Sequence, residues 1–376
     1  MISPWLLSAL RCPACAPAPG TPDTRMPLQR EGYSLVCAAC GARYALHNGY
    51  VDMRPPAALG GKTTVYAEDD AALDDMAVRP PLLSAGVRLY ALRRLLRPEA
   101  GDALLDIGCG NGKFAVWNRP LVAHLVGLDA AARFAPEALR SVDLVRGDAR
   151  ALPFASAAFD GAYSLDLMEH LDLAGVRAHF AETRRVLQRR GAYFCMSNTR
   201  ERSPLNALID PGRRLAERLH RAGIVDRTRD HLRKSDHVKA IATADDLAAE
   251  LARAGLRPAR LWFLNPVLAT WVETVGLAVA ERAASRKVPR STFHVLGAKS
   301  MPQKAVPPPS QRGTRNAERG TSVRDRAAAH PAVRGALRLL TAALVADVAL
   351  FRRVRTGPFF LLARPVIAGA HEETAR

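Results

Sequence analysis

The feature that most constrains the fold of this chain is a strand that runs directly into a glycine-rich turn. Residues 104–115 read Leu-Leu-Asp-Ile-Gly-Cys-Gly-Asn-Gly-Lys-Phe-Ala, and the apolar residues before the glycines predict the end of a buried strand. Gly108, Gly110 and Gly112 predict a turn in which the backbone adopts positive φ or approaches a ligand closely, followed by a helix. This order is typical of the nucleotide-binding corner of a doubly wound α/β sheet.

Acidic residues follow the next two predicted strands, at positions where a bound nucleoside would need them. Asp129 ends a strand predicted over 125–128, about 20 residues after the glycine turn, where a carboxylate can accept hydrogen bonds from both ribose hydroxyls. Asp148 and Ala149 follow a strand predicted over 143–146, and we expect them to meet the adenine ring. The three loops together predict a nucleoside site at the carboxyl edge of the sheet.

A fourth predicted strand, 159–164, leads into a polar segment at the same edge. Asp166, Glu169 and His170 lie in this segment, beyond the carboxyl end of the strand, where ligands bind in open α/β sheets. A histidine can act as a general base near neutral pH, so His170 is the first candidate for the catalytic base, and Asp166 and Glu169 are the alternatives. His170 could instead tie the loop to the sheet through hydrogen bonds.

Four of the six cysteines form two C-x-x-C pairs near the start of the chain. Twenty-one residues separate Cys12 and Cys15 from Cys37 and Cys40. Four thiolates in this pattern can hold one structural Zn²⁺ ion and leave no open position for catalysis. The alternative is a set of free thiols or a redox pair, which two pairs in a short, loop-rich segment argue against. We therefore predict a zinc ribbon over residues 1–55.

The motifs after the ribbon occur in the order found in a known enzyme class. D-I-G-C-G-N-G, G-L-D, G-D-A-x-x-L-P-F, F-D and E-H-L resemble the class I S-adenosylmethionine-dependent methyltransferases, most of all the ubiquinone and menaquinone biosynthesis group, over residues 82–264. The resemblance implies a Rossmann-like, seven-stranded α/β sheet and contact of Asp106 with the amino-acid part of S-adenosylmethionine. Lys113 stands where a dinucleotide-binding dehydrogenase would normally have its third glycine, which argues against a nicotinamide cofactor.

The remaining segments complete the predicted domain organisation. The ribbon resembles the short zinc-binding proteins that accompany methyltransferases, and residues 56–81 predict a linker because they contain Pro-Pro and Gly-Gly pairs. Residues 265–376 predict a helical extension with a disordered stretch at about 300–327 and the last strand of the sheet at 357–364. Residues 291–299 are the competing candidate for that strand.

The formal charge of +18 is concentrated in the tail, because residues 281–376 hold 18 basic and 6 acidic side chains. A basic surface can attract RNA, anionic lipid or an acidic substrate, and a merely solvated face explains it equally well. The apolar runs 264–280 and 336–351 are shorter than the roughly 20 residues of a spanning helix and are interrupted by charges. The paired cysteines indicate a reducing compartment. We therefore expect a cytoplasmic protein, with peripheral membrane contact through the C-terminal extension as an open alternative.

The leading functional prediction is methyl transfer from S-adenosylmethionine to an oxygen or carbon of a small or lipid-like molecule. The alternatives are an RNA base methyltransferase that uses the ribbon to bind its substrate, and a non-catalytic adaptor that only binds the cofactor. A complete set of cofactor-binding positions argues against the adaptor. These positions are Asp106, Gly108, Gly110, Gly112, Asp129, Asp148 and Ala149.

Overall fold

The computed structural model describes residues 2–15, 24–54, 76–225, 227, 231, 237–277 and 330–367, without the side chains of residues 274 and 277. Most of the predicted linker, the predicted disordered stretch and the competing last strand lie outside these residues. The strands are β1 (Leu28–Glu31), β2 (Ser34–Cys37), β3 (Arg43–His47), β4 (Tyr50–Asp52), β5 (Ala103–Ile107), β6 (His124–Asp129), β7 (Asp143–Arg146), β8 (Phe159–Leu165), β9 (Leu187–Asn198), β10 (Leu256–Phe263) and β11 (Pro358–Pro365).

The α-helices of six or more residues in the described ranges are α1 (Pro4–Ala9), α2 (Ser84–Leu96), α3 (Lys113–Asn118), α4 (Pro136–Ser141), α5 (Leu173–Val186), α6 (Asn206–Arg221), α7 (Ala244–Arg253) and α8 (Pro331–Phe351). Their ends carry local capping signals. Asp172 caps α5 by accepting a hydrogen bond from the amide of Gly175 at 2.7 Å. Thr243 and Asp246 form a reciprocal capping box at the start of α7.

One sheet of eleven strands runs through the molecule in the order β1-β2-β3-β4-β7-β6-β5-β8-β9-β11-β10. Strands β4, β7, β6, β5, β8 and β9 are parallel neighbours, and β11 lies antiparallel between β9 and β10. The prediction of a seven-stranded sheet is therefore corrected. Strands β5 to β11 supply seven of the eleven, and the four strands of the N-terminal segment continue the same sheet beyond β7.

The junction between the N-terminal segment and the rest of the sheet is a parallel strand pair. Val51 of β4 pairs with Val145 of β7, and the amide of Met53 donates to the carbonyl of Arg146 at 2.8 Å. An edge strand left open would present unpaired amides and carbonyls, and this pairing satisfies those of β7. The N-terminal segment therefore closes an edge that the remaining strands would leave exposed.

Helix α1 reinforces this junction on one face of the sheet. The indole of Trp5 stacks on the ring of His124, with 4.6 Å between ring centroids. Leu6 and Leu10 are fully buried, and Leu10 forms an antiparallel bridge with Phe154. The N-terminal segment therefore shares a hydrophobic core with the central strands.

The opposite face of the sheet is covered by α2 and α8. Leu344 and Val348 of α8 are buried in this second core, and the hydroxyl of Thr341 accepts a hydrogen bond from the amide of Leu83 at 2.8 Å. Helix α8 therefore packs on the domain. None of the helices in the described part of the chain combines the length and apolar character required to cross a membrane.

The register of the central strands gathers the predicted site residues. Ile107 pairs with Leu128 on one side and with Ser164 on the other, so these three strands end at nearly the same level. The residues that follow them, beginning with Gly108 and Asp129, therefore lie side by side at the carboxyl edge of the sheet.

Candidate functional site

The glycine loop after β5 has the backbone conformation that its sequence predicts. Gly108, Gly110 and Gly112 have φ values of 76°, 56° and 83°, a region in which only glycine is at ease. The amide of Gly108 donates to the carbonyl of Leu128 at 2.8 Å, which fixes the start of the loop. A side chain at Gly112 would meet Ala138. At Gly110, by contrast, no atom of the described part of the chain lies within 4 Å of the place where a side chain would start. Gly110 therefore faces open space at the loop tip.

Asp106, near the end of β5, has a buried carboxylate. It is 1% exposed, and its Oδ2 atom has no hydrogen-bond partner among the residues that the structure describes. Burial raises the pKa of Asp106 to about 8; the hydroxyl of Tyr163 acts in the opposite direction, and the negative charge of Asp129 reinforces the increase. A positively charged hydrogen-bond donor at this place would satisfy the oxygen and favour the ionised carboxylate, which fits the ammonium group of an amino-acid ligand.

Asp129 connects the glycine loop to the end of β6. Its Oδ2 atom accepts from the amide of Gly110 at 2.8 Å and its Oδ1 atom accepts from the amide of Ala131 at 2.9 Å. The carboxylate is half-buried beside the open tip of the loop. Its predicted contact with a ribose stays a prediction.

The carboxylate of Asp148 accepts hydrogen bonds from a neighbouring residue, Arg150. Asp148 accepts from the amide of Arg150 at 2.8 Å and from its guanidinium Nη2 atom at 2.6 Å. Ala149, the next residue, is buried, and its carbonyl faces a ring nitrogen of His179. The sequence motifs do not indicate His179, because it lies in the middle of helix α5, far from Ala149 along the chain.

Glu169, the middle residue of the turn Met168–His170 after β8, ties this turn to strand β9. This carboxylate is 2% exposed and accepts hydrogen bonds from the hydroxyl of Ser197 and, at 3.2 Å, from the amide group of Asn198. Burial and the nearby charge of Asp166 raise the pKa of Glu169 to about 7. Glu169 therefore points into the sheet, where it anchors the turn.

His170 is half-buried on this turn and has a second histidine as its neighbour. The ring of His237 meets it edge-to-face, with 4.9 Å between centroids. The turn and the segment around His237 are linked, because the carbonyl of Glu169 accepts from the amides of Val238 and Lys239 at 2.8 and 3.2 Å. His231, another histidine between α6 and α7, has its Nε2 atom 3.3 Å from Oε2 of Glu217.

Asp166 adopts a left-handed backbone conformation at the end of β8. Its φ is 54°, in the left-handed region that aspartate tolerates better than most residues other than glycine. Its amide donates to the carbonyl of Met196 at 3.0 Å, and its carboxylate forms a 2.7 Å ion pair with Arg88 of α2. Sequence reasoning missed Arg88, because nothing in the pattern of α2 distinguishes it from the other arginines of that helix.

The four cysteines of the N-terminal segment, Cys12, Cys15, Cys37 and Cys40, converge on one point. The sulfur atoms of Cys12, Cys15, Cys37 and Cys40 all lie within 4.8 Å of one another, and none forms a disulfide. The Cys12–Cys40 and Cys15–Cys37 sulfur separations are both 3.6 Å. Sulfurs bound tetrahedrally at about 2.3 Å from one Zn²⁺ ion would be about 3.8 Å apart, so the cluster fits this ion.

The segment that contains the glycine loop, Asp129 and the E-H-L turn matches the family model described as a methyltransferase domain, over residues 105–195. The ubiquinone biosynthesis O-methyltransferase of Ruegeria sp. (strain TM1040) is 29% identical over 201 residues, which cover 50% of this chain and 75% of the relative. The O-methyltransferase of Pyrenophora dematioidea is 30% identical over 156 residues, 38% of this chain and 55% of the relative.

Solved structures are more distant. Geranyl diphosphate C-methyltransferase from Streptomyces coelicolor A3(2) has 14% identity and a TM-score of 0.41, with 78% of this chain and 85% of that chain covered. A similarity of this degree supports no inference about the substrate. The family match and the curated relatives, taken together, identify the chain as an S-adenosylmethionine-dependent methyltransferase.

Proposed function

We propose that this enzyme methylates a hydroxyl oxygen of a small molecule that binds beside the turn Met168–His170. The observation that carries the proposal is the contact between this turn and the glycine loop. A Cβ atom at Gly108 would lie 3.1 Å from Cδ1 of Leu167, so the residue that precedes this turn packs on the candidate cofactor loop. The matched relatives are O-methyltransferases, which favours oxygen over carbon as the acceptor atom.

The cofactor would occupy the carboxyl edge of β5, β6 and β7. Asp106 would receive the ammonium group of its amino-acid part, because its buried Oδ2 atom has no hydrogen-bond partner among the residues that the structure describes. Asp129 would receive the ribose, and the open space at Gly110 admits the ligand to the loop. The other proposed contacts are Gly108, Gly112, Asp148 and Ala149.

When bound, the cofactor supplies a methyl group attached to a positively charged sulfur. The protein must hold the acceptor oxygen in line with that carbon–sulfur bond and remove one proton. His170 would take the hydroxyl proton as the carbon–oxygen bond forms and the carbon–sulfur bond breaks. Glu169 would keep the turn in place through Ser197 and Asn198, and Asp166 would shape the adjoining wall.

The cysteine cluster would hold a structural zinc ion. All four ligands come from the protein, so the ion would have no open position and take no part in methyl transfer. Its effect would be to fix the ribbon and thereby the strand β4 that pairs with β7. The contacts with RNA and with a membrane surface that the charge distribution suggests stay predictions.

Transfer of a labelled methyl group tests the proposal. Purified enzyme and labelled S-adenosylmethionine would be incubated with a cell lysate that supplies possible acceptors. The mixture would then be separated into organic-soluble, aqueous small-molecule, RNA and protein pools. We expect label in a small-molecule pool, released as methyl iodide by hot hydriodic acid, which cleaves methyl ethers, and not released by mild alkali. His170→Asn should lower the rate at least tenfold, whereas His231→Asn should not. Label that RNase releases, or full activity of His170→Asn, would contradict the proposal.

A further inference from the structure

A row of buried polar groups lies behind the loop that carries Asp148 and Ala149. His179 of α5, Tyr193 of β9 and Ser164 of β8 are all fully buried. The Nδ1 atom of His179 lies 3.4 Å from the carbonyl oxygen of Ala149, and its Nε2 atom lies 2.8 Å from the hydroxyl of Tyr193. That hydroxyl lies 2.5 Å from the hydroxyl of Ser164.

The donors and acceptors available in these groups determine the direction of the hydrogen bonds made by His179. A backbone carbonyl can only accept, so the Nδ1 atom of His179 must carry the proton and donate to Ala149. The Nε2 atom then accepts from the hydroxyl of Tyr193 at 2.8 Å. The hydroxyl of Ser164 has one proton, which it can donate to the Tyr193 oxygen at 2.5 Å or to the sulfur of Cys195 at 3.7 Å. Burial lowers the pKa of His179 to about 4, so the ring stays neutral in this arrangement over the physiological range.

Burying this many polar groups in a core is expensive unless each finds its partner. Apolar residues of similar volume could fill the same space without that requirement. The row ends at the carbonyl of Ala149, one residue from Asp148. Other hydrogen bonds hold the loop at its two ends: the amide of Gly147 donates to the carbonyl of Asp129 at 2.9 Å, and the amide of Ala151 donates to the carbonyl of Asp148 at 3.1 Å.

We infer that His179 is a positioning residue for the cofactor, because it holds the carbonyl of Ala149 and with it the loop that meets the adenine ring. The inference rests on the proposed placement of the cofactor. His179 itself does not touch the ligand. Its role is to fix the backbone behind the loop, with Tyr193 and Ser164 fixing the orientation and protonation of its ring.

Two ligands separate the adenine side of the site from its amino-acid side. S-adenosylhomocysteine fills both, whereas 5′-methylthioadenosine has the adenine and ribose and lacks the amino-acid group. His179→Phe should weaken both ligands about tenfold, because it leaves the Ala149 carbonyl unpaired. Asp106→Asn should weaken S-adenosylhomocysteine and leave 5′-methylthioadenosine unchanged. Both affinities are measured by titration calorimetry on the full chain.

Conservative replacements distinguish positioning from packing. The amide nitrogen of Asn reaches about the place of Nδ1, whereas the amide of Gln reaches about the place of Nε2. His179→Asn should therefore restore most of the affinity for 5′-methylthioadenosine, and His179→Gln should not. Val186→Ala is the matched control, because it removes buried volume from the same helix two turns beyond His179. It should lower the melting temperature and leave both affinities unchanged.

One measurement on the unmodified enzyme does not depend on any variant folding. Nitrogen-15 NMR of His179 should show a protonated Nδ1 and an unprotonated Nε2 from pH 5 to 9. The opposite tautomer would overturn the inference. So would wild-type affinity of His179→Phe for both ligands, provided that Asp106→Asn still weakens S-adenosylhomocysteine. If Asp106→Asn has no effect either, the placement of the cofactor itself is wrong.

Discussion

Leu167 lies against the backbone of Gly108, so the turn after β8 rests directly on the glycine loop after β5. A Cβ atom at Gly108 would come within 3.1 to 3.3 Å of three Leu167 side-chain atoms. The φ of Gly108 is 76°, which disfavours any other residue. The two loops therefore have a fixed relative position that depends on the absence of a side chain at residue 108.

Gly108→Ala should disturb both loops at once. Positive φ costs alanine about 1–2 kcal/mol, and Leu167 must also shift by a few tenths of an ångström. We expect a melting temperature several degrees lower and at least a tenfold loss of S-adenosylhomocysteine affinity. Gly101→Ala is the matched control, because nothing lies within 4 Å of that glycine and its φ is not positive. Equal behaviour of the two variants would contradict the loop contact.

Glu169 should make the stability of the protein depend on pH. Its pKa is about 7 in the folded protein and 4.5 for an ordinary glutamate, so its contribution is complete below pH 4.5 and lost as the pH rises through 7. Each pH unit is worth about 1.4 kcal/mol, which gives about 3 kcal/mol in all. Glu169→Gln should therefore gain stability relative to the wild type by up to that amount between pH 5 and 8.

Urea unfolding at several pH values measures this difference. Glu250→Gln serves as the control, because the hydrogen bond from Arg177 lowers the pKa of Glu250. Its difference from the wild type should be constant from pH 5 to 8, since Glu250 is ionised throughout that range. A constant difference for Glu169→Gln as well would show that Glu169 is ionised in the folded protein.

Removal of zinc should destabilise the whole chain and not only the ribbon. Leu35, Tyr44 and Val51 of the ribbon are buried in the same core as the central strands, and β4 pairs with β7. We expect one zinc ion per chain by elemental analysis, and loss of the ion together with a single lowered melting transition in Cys37→Ser. Cys195→Ala, which removes a buried thiol outside the cluster, should retain the ion.

An unchanged main transition after complete removal of zinc would show that the ribbon and the rest of the sheet unfold independently. Calorimetry with and without a chelator gives the answer directly. The pairing of β4 with β7 would then contribute little to stability.

Arg88 should matter more for activity than for stability. Its ion pair with Asp166 is partly exposed, so its loss should cost less than about 1 kcal/mol of unfolding free energy. Asp166 has a positive φ next to the E-H-L turn, and its ion pair with Arg88 helps to fix its position. Because Arg88→Met removes this ion pair, we expect its methyl-transfer rate to fall about tenfold. Arg94→Met, an exposed position on the same helix, is the control and should retain full activity. Full activity of both variants would remove Arg88 from the site.

The sequence by itself determined the features that depend on neighbouring residues. The glycines at 108, 110 and 112 predict a backbone with positive φ, because residues with a side chain avoid positive φ values. The spacing of the cysteines reports two tight turns that can share an ion. The strand β5 and the capping box of α7 are likewise local, since periodicity and capping act within a few residues.

Only the tertiary structure decided the features that join distant parts of the chain. The ribbon extends the main sheet because β4 pairs with β7, more than ninety residues later, and no local pattern specifies that partner. Arg88, His179 and His237 reach the candidate site from a helix before it, a helix behind it and a segment after β9. Arg88 and His179 are ordinary residues in their own stretches of sequence. His237 lies in the segment after β9, which can cover a substrate pocket, but that place alone does not select it from the other histidines there. The role of each follows from packing, which brings together side chains whose separation along the chain carries no signal.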